Sequence, residues 1–111
     1  MYASNGAGRN VFKNINSSYN GQNGIYISGT TSTRNNITAS SLQFNGLSGV
    51  KLEIGGSNII KSTTSCYNNQ AAKDINCTSS TGNSGTGNNF NSVQACGDNN
   101  WPVLGVDYTA C

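Results

Sequence analysis

The stretch Tyr19-Asn20-Gly21-Gln22-Asn23-Gly24-Ile25-Tyr26-Ile27 returns as Phe44-Asn45-Gly46-Leu47-Ser48-Gly49-Val50-Lys51-Leu52. It fades into Tyr67-Asn68-Asn69-Gln70-Ala71-Ala72-Lys73-Asp74-Ile75. A period of about 25 residues is the signature of a solenoid, whose units bury little alone and stack to make a core.

Working outward, the aromatics align as Tyr19, Phe44 and Tyr67. Reading backwards gives the columns Ser17, Leu42, Ser65, then Ile15, Ser40, Thr63, then Phe12, Ile37, Ile60. A fourth unit is expected at Phe90, Val93 and Ala95, with Phe90 in the Ile60 column. After each turn come Ile25 and Ile27, then Val50 and Leu52 with Ile54, then Ile75 with Cys77 facing in from the Ile54 column. Residues two apart share a character, which is the alternation of a strand. Asn10, Asn35, Asn58 and then Asn88 or Asn89 open the rungs, and Asn20, Asn45 and Asn68 close the first strand of each. Stacked Asn side chains can hydrogen-bond along a column, and Asn tolerates left-handed backbone at corners. The expected fold is all-β: a right-handed parallel β-helix (solenoid) of about four rungs with a disulfide-linked C-terminal capping tail. The handedness follows from the general preference of parallel crossovers. Residues 1–111 form a single domain, with rungs over 8–96 and the cap over 97–111.

Asn, Gly, Ser and Thr make up over half the chain and only 9% is charged, a composition that also occurs in disordered segments. The in-register apolar residues argue against disorder, and only residues 78–87 (TSSTGNSGTG) read as a long flexible loop. The net charge of +2 is spread over Arg9, Lys13, Arg34, Lys51, Lys61 and Lys73 without a basic run, so no nucleic-acid partner is expected. No apolar run is long enough for a membrane span. Met1 to Gly8 carries no signal-peptide pattern, so secretion would need an upstream or already cleaved segment.

The pattern N-x-Φ-x-x-Φ-x-Φ-x-Φ-N-G-x-x-G-Φ-x-Φ, repeated through residues 8–96, resembles the right-handed parallel β-helix superfamily, the pectate-lyase-like fold. The resemblance implies the fold and does not choose among the superfamily's lyases, hydrolases, epimerases, tailspikes and inert surface proteins. Its polygalacturonase-like members carry an Asn-Thr-Asp triplet, an Asp pair, a Gly-His-Gly and an Arg-x-Lys, none of which occurs in this sequence. Its lyases use clustered acids to hold calcium, with an arginine base. Arg9 and Arg34 occupy equivalent positions in adjacent repeats, but no acid cluster accompanies them.

The acids are Glu53, Asp74, Asp98 and Asp107, and there is no histidine. Glycoside hydrolysis uses two carboxylates across one bond. Glu53 and Asp74 fall on consecutive rungs one column apart, where both read as outward, solvated strand residues. The cysteines lack a C-x-x-C and have no His beside them, so neither a zinc centre nor a nucleophile is expected. Asp98-Asn99-Asn100 reads as a turn. No catalytic residue, metal or cofactor is expected.

Cys66, Cys77, Cys96 and Cys111 in so small and polar a chain point to two disulfides and an oxidising compartment. The alignment puts Cys66 and Cys96 in one outward column and leaves Cys77 beneath the tail, so the expected pairs are Cys66–Cys96 and Cys77–Cys111. The sequons at Asn16, Asn36 and Asn76 are candidate glycosylation sites in an extracellular or cell-surface protein. In the tail, Trp101, Val103, Leu104 and Val106 make a lid for the last rung. The rival role for Trp101 and Tyr108, with Arg9 and Arg34, is contact with a polysaccharide.

The leading expectation is therefore an extracellular structural or adhesive β-helix module. It would self-associate through an uncapped N-terminal rung or form the C-terminal end of a larger surface protein. The alternative is a carbohydrate-binding or polysaccharide-degrading domain whose catalytic rungs lie elsewhere.

Overall fold

The computed structural model describes residues 1–4, 8–69, 73–91, 93–94, 108–109 and 111. Its strands in chain order are β1 (Tyr2–Ala3), β2 (Val11–Lys13), β3 (Ile25–Ser28), β4 (Asn36–Thr38), β5 (Val50–Glu53), β6 (Ile59–Lys61), β7 (Ile75–Thr78), β8 (Ser84–Thr86), β9 (Asn88–Asn89), β10 (Val93–Gln94) and β11 (Tyr108–Thr109). They stack as a parallel β-solenoid of about 3 turns. One sheet runs β1-β3-β5-β7-β10 and a second β2-β4-β6-β8. A third side is held by single bridges from Asn16 through Ser41 and Thr64 to Asn89, where β11 pairs with β9.

The alternation in the repeat becomes this architecture directly. In β3, β5 and β7 the first and third residues are buried and the second and fourth half-exposed. Ile25, Val50 and Ile75 pair in one column, and Ile27, Leu52 and Cys77 in the next. On the second sheet Phe12, Ile37 and Ile60 stack in register. These columns meet Leu42 and Phe90 in a single core, with Ala3, Phe12 and Ile15 packed at its N-terminal end.

Corners fall in columns too. Arg9, Arg34, Ser57 and Gly82 all have positive φ, as do Asn14, Ala39, Ser62 and Gly87, then Tyr19, Phe44 and Tyr67, then Gly29, Ile54 and Ser79. Left-handed backbone costs a non-Gly residue roughly 1–2 kcal/mol. At each bend the corner N–H still donates to the next rung, for example Arg9 to Thr33 O at 3.0 Å, Tyr19 to Gln43 O at 2.9 Å and Ile54 to Thr78 O at 2.9 Å. The ladder continues around the corner, which offsets the local strain.

Several expectations are corrected. Residues 78–87 are not a flexible loop: they carry the end of β7, a bridge from Thr81 to Gly56, and β8. That stretch makes a full side of the solenoid, so the partner of Ile60 is Gly85 and not Phe90. Phe90 instead follows Asn89, the partner of Thr64, and so continues the column of Leu42 and Ser65. Asn83, not Asn88 or Asn89, continues the column of Asn58. Val93 pairs with Ile75, and Cys77 lies beside Leu52 rather than in the Ile54 column. Ile54 sits at a corner, 42% exposed, and the aromatics Tyr19, Phe44 and Tyr67 point outward from another. At the N-terminus rungs begin before residue 8, because β1 pairs with β3.

The disulfide pairing is corrected by the same shift. Cys66 is bonded to Cys111, with α-carbons 5.8 Å apart, so neither Cys66–Cys96 nor Cys77–Cys111 forms. Cys66 is buried rather than outward. Thr109 pairs with Asn89, which also pairs with Thr64, so the chain end returns along the line that carries Cys66. Cys77 is disulfide-bonded as well. Cys96, Ala95 and the expected lid of Trp101, Val103, Leu104 and Val106 lie outside the described residues.

Candidate functional sites: an outward cleft and an open end

The outward residues of the first sheet converge on a cleft of about 380 Å³ lined by Tyr2, Gln22, Asn23, Tyr26, Leu47 and Lys51. Pairing of β1 with β3 sets Tyr2 beside Tyr26, ring centroids 4.9 Å apart. Pairing of β3 with β5 sets Lys51 beside Tyr26, its ammonium 5.1 Å from the ring centroid. Lys51 Nζ is 3.6 Å from Glu53, and the Tyr26 hydroxyl donates to the Glu53 carboxylate. That bond, with help from Lys51, holds the Glu53 carboxyl below its ordinary range. The same bond pushes the Tyr26 phenol above its own. A general acid needs a raised carboxyl, so Glu53 is tuned away from that role.

Asp74 does not join Glu53. It is fully buried, contrary to the outward position expected of it, and Glu53 pairs with Thr78. Its carboxylate accepts from the Asn68 backbone and side-chain amides at 3.1 Å and from Asn91 N–H at 2.9 Å. One described carboxylate therefore faces water and the other faces the interior. Asp98 and Asp107 lie outside the described residues.

Asp74 ends a column of amides. Asn20, Asn45 and Asn68 each send a backbone N–H and the Nδ2 group to the Oδ1 of the next member, at 2.9–3.1 Å. A second column runs the same way through Asn10, Asn35, Asn58 and Asn83. The columns need close backbone approach, and the second glycine of the repeat supplies it. A Cβ on Gly24 would meet Asn45 Nδ2 at 2.9 Å, and one on Gly49 would meet Asn68 Nδ2 at 2.7 Å.

Both columns have a direction, so the two ends of the solenoid differ. At the C-terminal end Asp74 offers only acceptors, and Asn83 Nδ2 donates to Ser80 Oγ at 2.9 Å. At the N-terminal end the Oδ1 atoms of Asn10 and Asn20, both exposed, receive no donor among the described residues. Nor does any described strand pair with the outer edge of β2. The next level is filled on the β1 side, where the Met1 ammonium donates to Gly24 O at 2.9 Å.

The remaining sequence candidates are scattered. Arg9 and Arg34 are exposed corner residues of consecutive rungs. Tyr108 belongs to β11, which stacks on β9 at the opposite end, and Trp101 lies outside the described residues. Asn16 is exposed; Asn36 and Asn76 are half-buried, and Asn76 Oδ1 accepts from the Thr78 hydroxyl at 3.0 Å. Tyr19, Phe44 and Tyr67 stack face to face at 5.0 and 5.1 Å, so their inner faces are covered by each other. Among the described residues no His, Cys, Asp and Glu groups gather into a cation site, and no helix is long and apolar enough to cross a membrane. Sequence reading missed the Tyr2 cleft. Its signal was Met1-Tyr2-Ala3, a faint copy of Ile25-Tyr26-Ile27. No protein-family model, curated protein or solved structure matches the chain.

Proposed function

We propose that this chain is a structural or adhesive β-solenoid module of the pectate-lyase-like superfamily, acting outside the cell and carrying no chemistry of its own. The observation that supports this most is the inequality of its ends. At one end Asp74 terminates an amide column, β11 pairs with β9 and Cys66 is bonded to Cys111, while at the other the Asn10 and Asn20 acceptors meet no donor among the described residues. Bonded cysteines suit an oxidising, extracellular setting, and right-handed winding is the general preference for such crossovers. The tuning of Glu53 and the inward position of Asp74 both weigh against acid–base work on a glycosidic bond.

A second reading is saccharide recognition in the cleft. Tyr2, 63% exposed, stands beside the carboxamides of Gln22 and Asn23, and an aromatic surface with convergent hydrogen-bonding groups is a general feature of ligand sites. Incubating the chain with neutral and acidic polysaccharides, while following reducing ends and unsaturated products, tests both readings. A structural module releases neither. Cleavage abolished by Glu53→Gln would overturn it. Retention on a polysaccharide gel that is lost on Tyr2→Ala, without cleavage, would favour the second reading.

A further inference from the structure

Four cations that lie far apart in the sequence meet on the outward side of the second sheet. Asn35 and Ile37 are buried, so Arg34, Asn36 and Thr38 are the outward residues of their rung. Strand pairing carries the same parity to Val11 and Lys13 on one side and to Ile59 and Lys61 on the other. Arg9 and Arg34 stand at the corner that opens consecutive rungs, both exposed. Lys13, Thr38 and Lys61 form one column, with both lysines exposed. At strand spacings the arginines are about 4.8 Å apart along the axis, the lysines roughly 10 Å, and the two files lie roughly 13 Å from each other. None of the four makes an ion pair among the described residues. The described acids are elsewhere: Glu53 is on the first sheet beside Lys51, and Asp74 is buried.

Resting on the adhesive reading of the chain, we propose that this face binds a sulfated polysaccharide laid along the solenoid axis, between the arginine file and the lysine file. No described acid offsets the four positive charges, so an anionic partner is what the face complements. Because the polymer lies across the side of the rungs, the face does not depend on what stacks at either end.

The chemistry of the face selects among polyanions. Its cations project into water, so they attract mainly by releasing the counterions that a densely charged polymer has condensed. A glycan with several sulfates per repeat holds such an atmosphere, and a glycan with one carboxylate per sugar holds less of it. Between the two files run Val11, Asn36, Ile59 and Ser84, and Thr38 sits between the lysines. Amides and hydroxyls exchange hydrogen bonds with sugar hydroxyls. That central column carries no aromatic ring on which the bases of a single strand could stack, and the face projects no helix or ribbon into a duplex groove.

The probes are dextran sulfate, carboxymethyl dextran and unmodified dextran, which share one backbone, with oligothymidylate as the nucleic-acid arm. Affinity of the full chain for each is measured by titration calorimetry as salt is raised. Dextran sulfate is expected to bind at least about tenfold more tightly than carboxymethyl dextran, and unmodified dextran not to bind. Lys13→Gln combined with Lys61→Gln should weaken dextran sulfate binding at least about tenfold and lower the log–log salt slope by roughly two, one for each lost contact. Thr30→Asp combined with Ser79→Asp lowers the net charge by the same amount at exposed turns on other sides. At physiological salt, where charges more than about 8 Å away are screened, that control should bind nearly as the parent does. The proposal is overturned by no binding of dextran sulfate, by equal or tighter binding of carboxymethyl dextran, dextran or oligothymidylate, or by equal losses in the two double variants. It is also overturned if Tyr2→Ala abolishes binding while the lysine pair is without effect, which would move the site to the cleft. Binding is read without turnover, so failure to bind overturns this proposal alone; the structural reading is judged separately by released ends.

Discussion

Asn45 joins three successive rungs with one side chain. It accepts from Asn20, donates to Asn68 Oδ1 at 3.0 Å and to Ser17 O at 3.1 Å, and is only 3% exposed. Asn45→Ala strands these partners, of which Asn68 is buried, and leaving a buried polar group unpaired costs about 1–3 kcal/mol. A loss of that size in chemical denaturation is expected. Asn45→Asp keeps the shape and the acceptor but not the donors, so at neutral pH it should cost at least as much. If both variants melt like the parent, the columns contribute nothing. The Tyr26–Glu53 bond gives a weaker, pH-dependent term. Glu53 has a lowered carboxyl pKa, so its contribution is present above the unfolded value and fades as pH falls through the folded one. Tyr26 has a raised phenol pKa, so its contribution is present below ~10 and fades as pH rises through the folded value. Both flanks of the melting profile should flatten in Tyr26→Phe, and a profile unchanged by that substitution would contradict the assignment.

The strands are the level at which the sequence was most legible, and the reason lies in particular residues. Phe12, Ile37 and Ile60 repeat at one spacing between Asn markers, and they form one column in the structure. Ile60 is fully buried while its neighbour Lys61 is exposed. Ile60→Ala should therefore destabilise by about 2–5 kcal/mol and Lys61→Ala by almost nothing; similar shifts in the two would break the register. Legibility failed where apolar markers vanish. The partners of Ile59, Ile60 and Lys61 are Ser84, Gly85 and Thr86, a strand with no hydrophobic residue, which reads as loop because backbone pairing rather than burial holds it. That one misreading displaced Phe90, Asn83 and the cysteine pairing together. The cleft was obscure for a different reason: Tyr2 lies outside the quoted repeats, and only the pairing of β1 with β3 and of β3 with β5 sets Tyr2 and Lys51 on either side of Tyr26.

At the scale of the whole molecule the described strands leave the outer edge of β2 unpaired at the N-terminal end of the solenoid. On either side of β2, Asn10 and Asn14 turn their backbone N–H groups toward the next rung, so by alternation those of Val11 and Lys13 face the open edge. Amide hydrogen exchange of the dilute chain, resolved by residue, reads this directly. The account predicts that Val11 and Lys13 exchange orders of magnitude faster than Ile37, Ile60 and Ile75, and that Asn91, held by Asp74 at the other end, stays protected. Val11 and Lys13 exchanging as slowly as Ile37 would mean that the edge is already covered, and the open-ended solenoid would be wrong.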